Sequence, residues 1–487
     1  RRLPLLFVYQ EINSSAFRHE TGSGERVCGK YQSPWDCSHF PVCWGYLKGH
    51  LVGNLLGGFW LFVWQFSERV TAYLKFDYNT LVEVEHQSKL TFPGVTICNY
   101  NRFYNSRIAE EHRKHLDRLL GFSDTLNYYD ANSENSWEDQ SAENWDDDFN
   151  YELFTAQSGF RLNDSLLRCE WKGKKDSCSA DNFTEIFIPG YGICFQFNID
   201  DKDENRVRQT LPGAENGLSI LIDIKQEDYT ETFKQGHHEA GLKFVVHHWN
   251  DPPLVESLGF AIAPEFHTYA AVRKKKYESL PKPWGKCESV KDGYNKKDCL
   301  RDCRRDHIVL TCDCRPLGYP GNTTICTLDQ QTDCVAKALQ EFRSIGSSDA
   351  CKCPTSCTEV VYRTSLSMTS FPSDQLAEEY QNKYGPPKEV TDKDNSSFWI
   401  CQDLKLRKNL VYLDVYFEEL SETKFKQVEA MSFSALLSDL GGQMGLFLGV
   451  SAITAAEIME YLLTKIFRLF KGKRSNDNKV IALNPST

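Results

Sequence analysis

Two glutamates lie inside an otherwise apolar stretch near the end of the 487-residue chain. Glu457 and Glu460 are three residues apart, so both carboxylates face the same side of a helix. The stretch from Leu440 to Leu463 is long and apolar enough to cross a bilayer as a helix, where charged groups in contact with lipid are costly. We therefore predict a ring of carboxylates that attracts cations into an aqueous path. The alternative is a plain membrane anchor with its carboxylates at the cytosolic end.

Glycines in the same stretch indicate close helix packing. Gly441, Gly445 and Gly449 recur every four residues, which lets another helix approach backbone to backbone. The small residues at Gly449 and Ser451 allow backbone carbonyls and a hydroxyl to replace part of an ion's hydration shell. Three or more copies of this helix around an axis would form a cation pore.

Enzymatic chemistry is not indicated by the sequence. It contains no HExxH, GxSxG, phosphate-loop or dinucleotide pattern. The pairs His237-His238 and His247-His248 have a metal-ligating residue type, but adjacent residues on a strand face opposite sides, which favours surface histidines. We predict that the chain is not an enzyme and carries no metal or cofactor.

A further apolar span, residues 51–73, predicts a membrane protein with two spans. This segment is rich in Leu, Phe and Trp, and aromatic residues lie near its ends, as at a membrane interface. The mean hydropathy of −0.48 is that of a soluble protein, so the membrane-embedded parts are a minority. Lys48 precedes the first span and basic residues from Lys465 to Arg474 close the second, so the positive-inside rule places both termini in the cytosol.

The predicted fold class is an α+β membrane protein in which two transmembrane helices flank a large disulfide-rich extracellular domain. We expect a multi-pass protein of the plasma membrane, in contact with the lipid bilayer. Its predicted segments are a cytosolic N-terminal segment (1–48), a first transmembrane helix (49–73), the extracellular domain (74–432), a second transmembrane helix (433–468) and a cytosolic tail (469–487). Cys28, Cys37 and Cys43 are expected as reduced thiols or palmitoylation sites.

Cysteine and asparagine patterns support an extracellular middle segment. Fourteen of the 18 cysteines lie between Cys98 and Cys357, which indicates a disulfide framework in an oxidising compartment. Cys299, Cys303 and His307 also have zinc-ligand spacing, but outside a cell disulfides are favoured. N-glycosylation triplets occur at Asn163, Asn182, Asn322 and Asn395, and a fifth, at Asn13, would be cytosolic and silent.

An acidic stretch with interleaved aromatic residues occupies residues 134–152. It predicts either a solvated acidic loop or a surface that captures a cationic, aromatic ligand. The candidate ligand-capture residues are Glu138, Asp139, Glu143, Trp145, Asp146, Asp147 and Asp148. The net charge of −11 favours cationic ligands and argues against a nucleic-acid partner.

The extracellular segment is predicted to mix strands and helices. Strands are expected at 90–99 (broken by a Pro-Gly turn), 217–224, 242–248, 269–272 and 411–418. Helices are expected at 293–310, 328–344 and 372–384. The first two of these helices carry most of the clustered cysteines.

Several long motifs, in one order, resemble the degenerin, epithelial sodium channel and acid-sensing ion channel superfamily. The motifs are Leu90–Asn99 (LTFPGVTICN), Leu258–Pro264 (LGFAIAP), Pro283–Cys287 (PWGKC) and Ser438–Phe447 (SDLGGQMGLF). The resemblance covers residues 68 to about 467. It implies a homotrimer, or a heterotrimer with family members, that conducts Na⁺ and is blocked by amiloride.

The resemblance also implies a hand-like extracellular domain. Its parts are a palm, a β-ball, a finger (about 105–178), a thumb (about 285–357) and a knuckle (about 369–386). It implies seven disulfides, namely Cys98–Cys194, Cys169–Cys178, Cys287–Cys357, Cys299–Cys353, Cys303–Cys351, Cys312–Cys334 and Cys314–Cys326. Cys401 is left without a partner in this pairing.

Residues of the family's pore can be carried over one by one. Ser438 lies at the degenerin position, where a bulky side chain is expected to hold the gate open. The gate and amiloride region also contains Asp439, Gly441, Gly442 and Gly445.

Two further sets of residues carry over from the family. Gly449, Val450 and Ser451 correspond to the selectivity constriction, and the central Val is similar to the central Ile of peptide-gated relatives. Phe76 and Trp284 resemble the aromatic pair that couples the thumb to the first span.

Departures from the acid-sensing pattern bear on the stimulus. The histidine pair after the first span is replaced by Asp77 and Tyr78. The acidic-pocket carboxylates are replaced by Lys234, Gln235, Ala336 and Gln340, and the pocket lysine is replaced by Leu211. Crowded carboxylates titrate near neutral pH because like charges resist joint ionisation, and these residues cannot do so. Proton gating through that pocket is therefore disfavoured.

We predict a trimeric, sodium-preferring, amiloride-sensitive cation channel opened by an extracellular neuropeptide of the FMRFamide type. The acidic, aromatic stretch suits an arginine-bearing amidated peptide. One alternative is a proton-gated sodium channel of the same build. The other, from a different class, is a two-span adhesion or receptor protein without a pore.

Overall fold

A computed structural model describes residues 41–121 and 149–466 of the chain, apart from 201, 203, 232–235, 289, 291–292, 347–350, 378, 380–406, 450–456 and 458. The chain divides into two compact units. The larger unit comprises residues 75–432, and the smaller unit comprises the helices that precede Lys75 and follow Ser432. The division falls next to the ends of the predicted extracellular segment.

The larger unit is built around a six-stranded sheet. Five of its strands are, in spatial order, β12 (Thr358–Ser370), β11 (Phe266–Glu278), β13 (Leu410–Glu429), β8 (Leu218–Asp223) and β4 (Leu166–Trp171). The sixth, β1 (Tyr78–His86), pairs with the second half of β13. β11 and β13 run parallel, and the other pairs of this sheet are antiparallel. The first half of β13 buries Val411, Leu413, Val415 and Phe417 because alternate residues face the core.

A second, five-stranded sheet is antiparallel throughout. Its strands are, in spatial order, β10 (Phe260–Ile262), β9 (Leu242–His247), β3 (Gly94–Asn99), β6 (Gly192–Phe197) and β5 (Phe183–Ile188). Every residue of the central strands β3 and β6 is buried. Cys98 and Cys194 are paired across these strands and joined by a disulfide. A short ladder joins β2 (Leu90–Thr91) to β7 (Arg208–Gln209).

One apolar core contains residues of both sheets. Phe92, in the Pro-Gly turn between β2 and β3, is 1% exposed. Its ring contacts those of Trp171, Phe197 and Phe417 edge to face, at centroid distances of 4.9, 6.3 and 5.9 Å. Each such pair contributes about 0.5–1.5 kcal/mol beyond the area it buries. The motif from Leu90 to Asn99 is therefore a core motif that fixes where the two sheets meet.

The larger unit contains the helices α2 (Arg113–Gly121), α3 (Tyr151–Ser158), α4 (Leu162–Ser165), α5 (Val255–Leu258), α6 (Lys296–Cys312), α7 (Leu328–Gln330) and α8 (Ala336–Ile345), and described helical residues also occur at 374–377, 379 and 407–409. α6 begins where the Asn295 side chain accepts the N–H of Lys297, and it ends at the left-handed residue Asp313. A wide turn at Gln331–Val335 links α7 to α8. The helices predicted at 293–310 and 328–344 are confirmed. Of the helix predicted at 372–384, residues 374–377 and 379 are helical, and residues 378 and 380–384 lie outside the described part of the chain.

All five predicted strands are present, but β11 and β13 extend well beyond their predicted ends. The extensions are rich in Lys and Glu, so they lack the apolar alternation that marks a strand in sequence. Ion pairs between strands accompany the backbone ladder there. Lys274 Nζ lies 3.6 Å from Glu422 Oε1, and Lys424 Nζ lies 2.6 Å from Glu85 Oε1. Pairing with neighbouring strands thus keeps the second halves of β11 and β13 extended, although their sequence alone did not indicate strands.

The smaller unit contains α1 (Pro41–Leu74) and α9 (Phe433–Gln443), followed by a wide helical turn at Met444–Leu448 and helical residues at 459–466. The rings of Tyr73 and Phe433 lie 6.4 Å apart. In the part of the chain that the structure describes, no helix combines the length and the apolar character needed to span a membrane.

A buried histidine links three strands of the second sheet. His247 Nε2 lies 2.8 Å from Thr96 Oγ1, and its Nδ1 lies 2.8 Å from the carbonyl oxygen of His248. Gln196 Nε2 donates to the same Thr96 oxygen at 3.1 Å. A neutral ring satisfies these contacts, since one nitrogen donates to a carbonyl and the other accepts from a hydroxyl. Burial lowers the pKa of His247 from its usual 6.5, and burial lowers the pKa of neighbouring His248 to about 4.

We predict that acid destabilises the fold through His247 and that His247→Gln weakens this effect. The unfolded ring takes a proton near pH 6.5 but the folded ring resists it, so stability is full above that pH and falls as the pH drops. At its steepest, one proton changes the free energy of unfolding by about 1.4 kcal/mol per pH unit. The melting temperature of the full chain should therefore depend less on pH in the variant. Exposed His86→Gln is the control, and equal slopes for all three proteins would contradict the assignment.

Candidate functional site

The predicted pore helix is interrupted at Gly449. α9 and the wide turn after it end at Leu448. Gly449 has a φ of +61°, in the left-handed region, and its N–H donates to the Gly445 carbonyl at 3.2 Å. This conformation costs residues with a Cβ about 1–2 kcal/mol, which is why a glycine so often ends a helix. The prediction of one continuous helix from Leu440 to Leu463 is therefore wrong.

The left-handed residue interrupts the helical hydrogen-bond pattern inside an apolar stretch. The last four carbonyls of a helix have no partner within that helix. Where non-helical backbone occurs at membrane depth, it lies against protein or lines water. Rings of such carbonyls are the ligands of many cation filters. Val450 and Ser451, the rest of the predicted constriction, lie outside the described residues.

The glycine surface of α9 is open in the described chain. A Cβ added at Gly441, Gly442 or Gly445 would meet no described atom within 4 Å. The close backbone contact of this unit is at Gly58 of α1, where an added Cβ would lie 3.0 Å from the Phe447 carbonyl oxygen. Ser438, predicted at the gate, is exposed. Its neighbour Asp439 lies 3.9 Å from Arg69 of α1, measured from Oδ2 to Nη1.

The two glutamates of the predicted ring lie in the last helical residues of the structure. Glu457 and Glu460 are both exposed. The backbone carbonyl of Glu460 accepts the Thr464 hydroxyl at 2.7 Å. The segment that joins them to Gly449 lies outside the described residues, so the ring stays a prediction.

Phe76 and Trp284, the predicted coupling pair, are in contact. Their ring centroids lie 5.5 Å apart and their planes meet at 85°, an edge-to-face arrangement. Phe76 lies between α1 and β1 with a φ of +52°, which is uncommon for a residue with a Cβ. Backbone in that region costs of order 1–3 kcal/mol and marks positions that the surroundings hold in place. Their role in gating stays a prediction.

The Pro-Trp-Gly motif forms a turn that positions Trp284, and this turn has no room for a side chain at Gly285. The Gly285 N–H donates to the Pro281 carbonyl at 3.0 Å, and a Cβ on Gly285 would lie 1.8 Å from the Leu280 carbonyl oxygen. The turn is anchored at both ends. Leu280 N–H donates to Gln427 Oε1 of β13 at 3.0 Å, and the disulfide Cys287–Cys357 follows directly. The residue after Trp284 therefore has to be glycine.

The structure contains the same seven disulfides that the resemblance implies: Cys98–Cys194, Cys169–Cys178, Cys287–Cys357, Cys299–Cys353, Cys303–Cys351, Cys312–Cys334 and Cys314–Cys326. Two of them fasten successive turns of α6 to the segment that carries Cys351 and Cys353. Cys299 and Cys303 are thereby used, which excludes the zinc interpretation of their spacing.

The residues predicted to decide the stimulus are only partly described. The ligand-capture residues from Glu138 to Asp148 lie outside the described part of the chain, as do Lys234, Gln235, Asn395 and Cys401. Gln340 is exposed on α8, and Leu211 is 61% exposed. The Asp77 carbonyl accepts the Ala430 N–H at 3.0 Å, which closes the ladder between β1 and β13.

The sequence analysis did not predict the buried ion pair between Arg102 and Glu231. Arg102 Nε lies 3.0 Å from Glu231 Oε1, and the two side chains are 5% and 2% exposed. The guanidinium also donates to the carbonyls of Leu119 and Leu120 in α2. Glu231 Oε2 accepts the N–H of His237 at 2.9 Å. A separation of 129 residues carries no sequence signal, and removing one partner of a buried pair costs about 3–5 kcal/mol.

Three predicted glycosylation sites are accessible. Asn163, Asn182 and Asn322 are all exposed. The Asn182 side chain accepts the Ser179 N–H through its oxygen at 2.8 Å, which does not engage the amide nitrogen that carries a glycan.

Comparison with known proteins identifies the class of protein. The family described as "Amiloride-sensitive sodium channel" matches residues 53–461, which is most of the chain. The chain belongs to this family of ion channels.

Acid-sensing and bile acid-sensitive ion channels are among the proteins that the chain resembles. The chain is 32% identical over 464 residues to acid-sensing ion channel 1C of Danio rerio, covering 88% of this chain and 82% of that protein. It is 31% identical over 434 residues to acid-sensing ion channel 1B of the same organism, covering 86% and 73%. It is 30% identical over 427 residues to the bile acid-sensitive ion channel of Mus musculus, covering 85% and 82%.

We predict that Asn163, Asn182 and Asn322 carry glycans while Asn13 does not. The asparagines of these three triplets are exposed, whereas Asn13 belongs to the segment predicted in the cytosol. Each of the substitutions Asn163→Gln, Asn182→Gln and Asn322→Gln should remove one glycosidase-sensitive step in gel mobility of the full chain. Asn13→Gln is the matched control and should leave the mobility unchanged. A chain insensitive to glycosidase, or a step lost with Asn13→Gln, would contradict the predicted orientation.

Proposed function

We propose that the chain is a subunit of a trimeric, sodium-preferring, amiloride-sensitive channel of the plasma membrane, opened by an extracellular ligand. The observation that carries the proposal is the family match over residues 53–461. The left-handed break at Gly449, inside the stretch that the family uses as a pore, supports it.

The pore chemistry follows from that break. In this proposal, small residues and backbone carbonyls at Gly449–Ser451 replace part of the hydration shell of Na⁺, while Glu457 and Glu460 raise the local concentration of cations. Ser438, Asp439 and the glycines of α9 form the gate and the amiloride region. No side chain in this proposal performs covalent chemistry.

A trimer is supported by an apolar surface on β1. This strand pairs with β13 along one edge, and every one of its residues is exposed in the single chain. Leu81, Val82 and Val84 are 45%, 58% and 54% exposed. Val82 and Val84 lie on one face of the strand and Leu81 lies on the other. Exposed apolar residues of this kind mark interaction sites, so we assign β1 to contact between subunits.

Membrane insertion is supported by the surface of α1. Leu56, Trp60 and Trp64 are 64%, 67% and 55% exposed, which suits side chains whose solvent is lipid and its interface. With two spans, from α1 and from the segment that begins at α9, both termini lie in the cytosol and the larger unit lies outside.

The first candidate for the ligand is an amidated peptide of the FMRFamide type. The acidic, aromatic stretch at 134–152 supplies carboxylates for an arginine and aromatic surfaces for a phenylalanine. The second candidate is the proton, since acid-sensing channels are among the relatives. Burial lowers the pKa of His237, His247 and His248, so these three side chains resist protonation and do not favour the second candidate.

We predict that an arginine-bearing amidated peptide opens a current in cells that express the full chain. The inward current should be carried by Na⁺ and blocked by amiloride, and steps from about pH 7 to about pH 5 should evoke much less current. Large acid currents without a peptide response would reverse the order of the two ligands. A chain at the cell surface that conducts under no stimulus would support the adhesion or receptor alternative.

We predict that Gly449→Ala lowers the preference of the open pore for Na⁺ over K⁺. An alanine resists the left-handed conformation by about 1–2 kcal/mol, which shifts the equilibrium towards continued helix by about fivefold or more. Reversal potentials in Na⁺ and K⁺ solutions measure the preference. Gly57→Ala on α1 is the matched control, since a Cβ there meets no described atom within 4 Å. An unaltered reversal potential in Gly449→Ala would remove Gly449 from the constriction.

A further inference from the structure

A cavity of about 770 Å³ opens between two parts of the larger unit. One wall comes from the end of β5 and from residues 252–257, which precede and include α5. The opposite wall comes from α6, α8 and residues 318–319. Small-molecule sites typically measure about 300–1,000 Å³, so the space suits one organic ligand.

Both walls of the cavity present apolar surface. Ile186 and Leu254 line one side, and Leu300, Leu339 and Phe342 line the other. Leu254 is 37% exposed, whereas Leu339 and Phe342 are each 5% exposed. An apolar body placed between these walls removes further apolar area from water, which stabilises a complex by about 25 cal/mol per Å².

The same cavity is lined by four cationic side chains and one carboxylate. Lys297, Arg301 and Arg304 follow one another at intervals of four and three, so they share one face of α6. Arg343 joins them from α8, and Glu256 is the single acid. A cationic ligand would meet like charge, and a neutral ligand would desolvate cations without pairing them. An anion is the ligand whose charge complements this lining.

Ion pairs outside the cavity hold two of these cations in position. Lys297 Nζ lies 2.5 Å from Asp251 Oδ2. Arg301 Nη2 lies 2.9 Å from Asp298 Oδ1, and its Nε lies 3.4 Å from Asp302 Oδ1. None of these three carboxylates lines the cavity. A guanidinium carries five donors, so one that is already oriented can still donate to a ligand and loses little freedom when it does.

We propose that this cavity binds a small amphipathic organic anion, in which a carboxylate or sulfonate is attached to an apolar body. Arg301 and Arg343 pair with the head group, and Leu254 and Phe342 contact the body. The ligand bridges the two walls, so it holds α6 and α8 against the end of β5. The site differs in charge and in place from the acidic stretch assigned to a peptide, and it does not depend on whether the chain conducts.

Photolabelling tests the proposal on the full chain in cell membranes. The probe is benzophenone-4-carboxylate, an anion on an apolar body that reacts with nearby C–H bonds under light. Its neutral counterpart is benzophenone-4-carboxamide, which has nearly the same shape. We expect the carboxylate to label peptides that contain residues 252–257 and 339–343 saturably, and the carboxamide to label them only at much higher concentration.

Substitutions distinguish the contribution of the charged side chains to labelling from that of the apolar walls. The double substitution Arg301→Gln with Arg343→Gln should raise the half-labelling concentration of the carboxylate about tenfold, as expected for lost charge-assisted hydrogen bonds, and should leave carboxamide labelling unchanged. Lys337→Gln is the matched control, because Lys337 is exposed on α8 but does not line the cavity, and it should behave as the unchanged chain. Leu254→Ser should weaken labelling by both probes.

Three outcomes would overturn the proposal. One is labelling by the carboxylate only outside the two cavity peptides. Another is equal half-labelling concentrations for the carboxylate and the carboxamide in the unchanged chain. The third is a double variant whose carboxylate labelling matches that of Lys337→Gln. Unchanged carboxamide labelling of the double variant shows that its cavity is intact, so a loss of carboxylate labelling then reports charge rather than misfolding.

Discussion

Strand β13 is the constraint on which the larger unit depends. Over 20 residues it pairs with β8 in its first half, with β11 along most of its length and with β1 in its second half. The ladder with β1 sets Tyr78 beside Glu429. Three residues separate the end of α1 from β1, and three residues separate β13 from the start of α9. The β1–β13 ladder therefore holds together the two points at which the chain leaves this unit. A shift of β13 would therefore displace both connecting segments, residues 75–77 and 430–432.

Glycine is required at two points of the candidate site, for different reasons. At Gly285 a backbone carbonyl fills the space that a Cβ would need, so the turn that presents Trp284 excludes any side chain. At Gly449 a Cβ would meet no described atom within 4 Å, but a φ of +61° disfavours residues that carry one. The first glycine positions an aromatic ring in the larger unit, and the second ends a helix in the smaller unit. Both motifs are thus explained by backbone geometry.

Disulfides stabilise one part of the larger unit, and an apolar core with buried polar contacts stabilises the other. Five of the seven disulfides lie between Cys287 and Cys357, where the helices α6 and α8 have little buried apolar surface of their own. The two sheets instead share an extensive apolar core, and there polar contacts such as Thr96–His247 and Arg102–Glu231 join segments far apart in sequence. The cavity with the cationic lining opens between these two differently stabilised parts.

The sequence alone determined the family motifs, the main strands and the two cysteine-bearing helices, because apolar periodicity and helix caps are local signals. The disulfide pairing followed from the resemblance to a family rather than from spacing. Only the tertiary structure decided the second halves of β11 and β13, the break at Gly449, the Arg102–Glu231 pair and the cationic cavity. Each of these depends on a backbone conformation or on contacts between distant residues, for which the local pattern of side chains carries no signal.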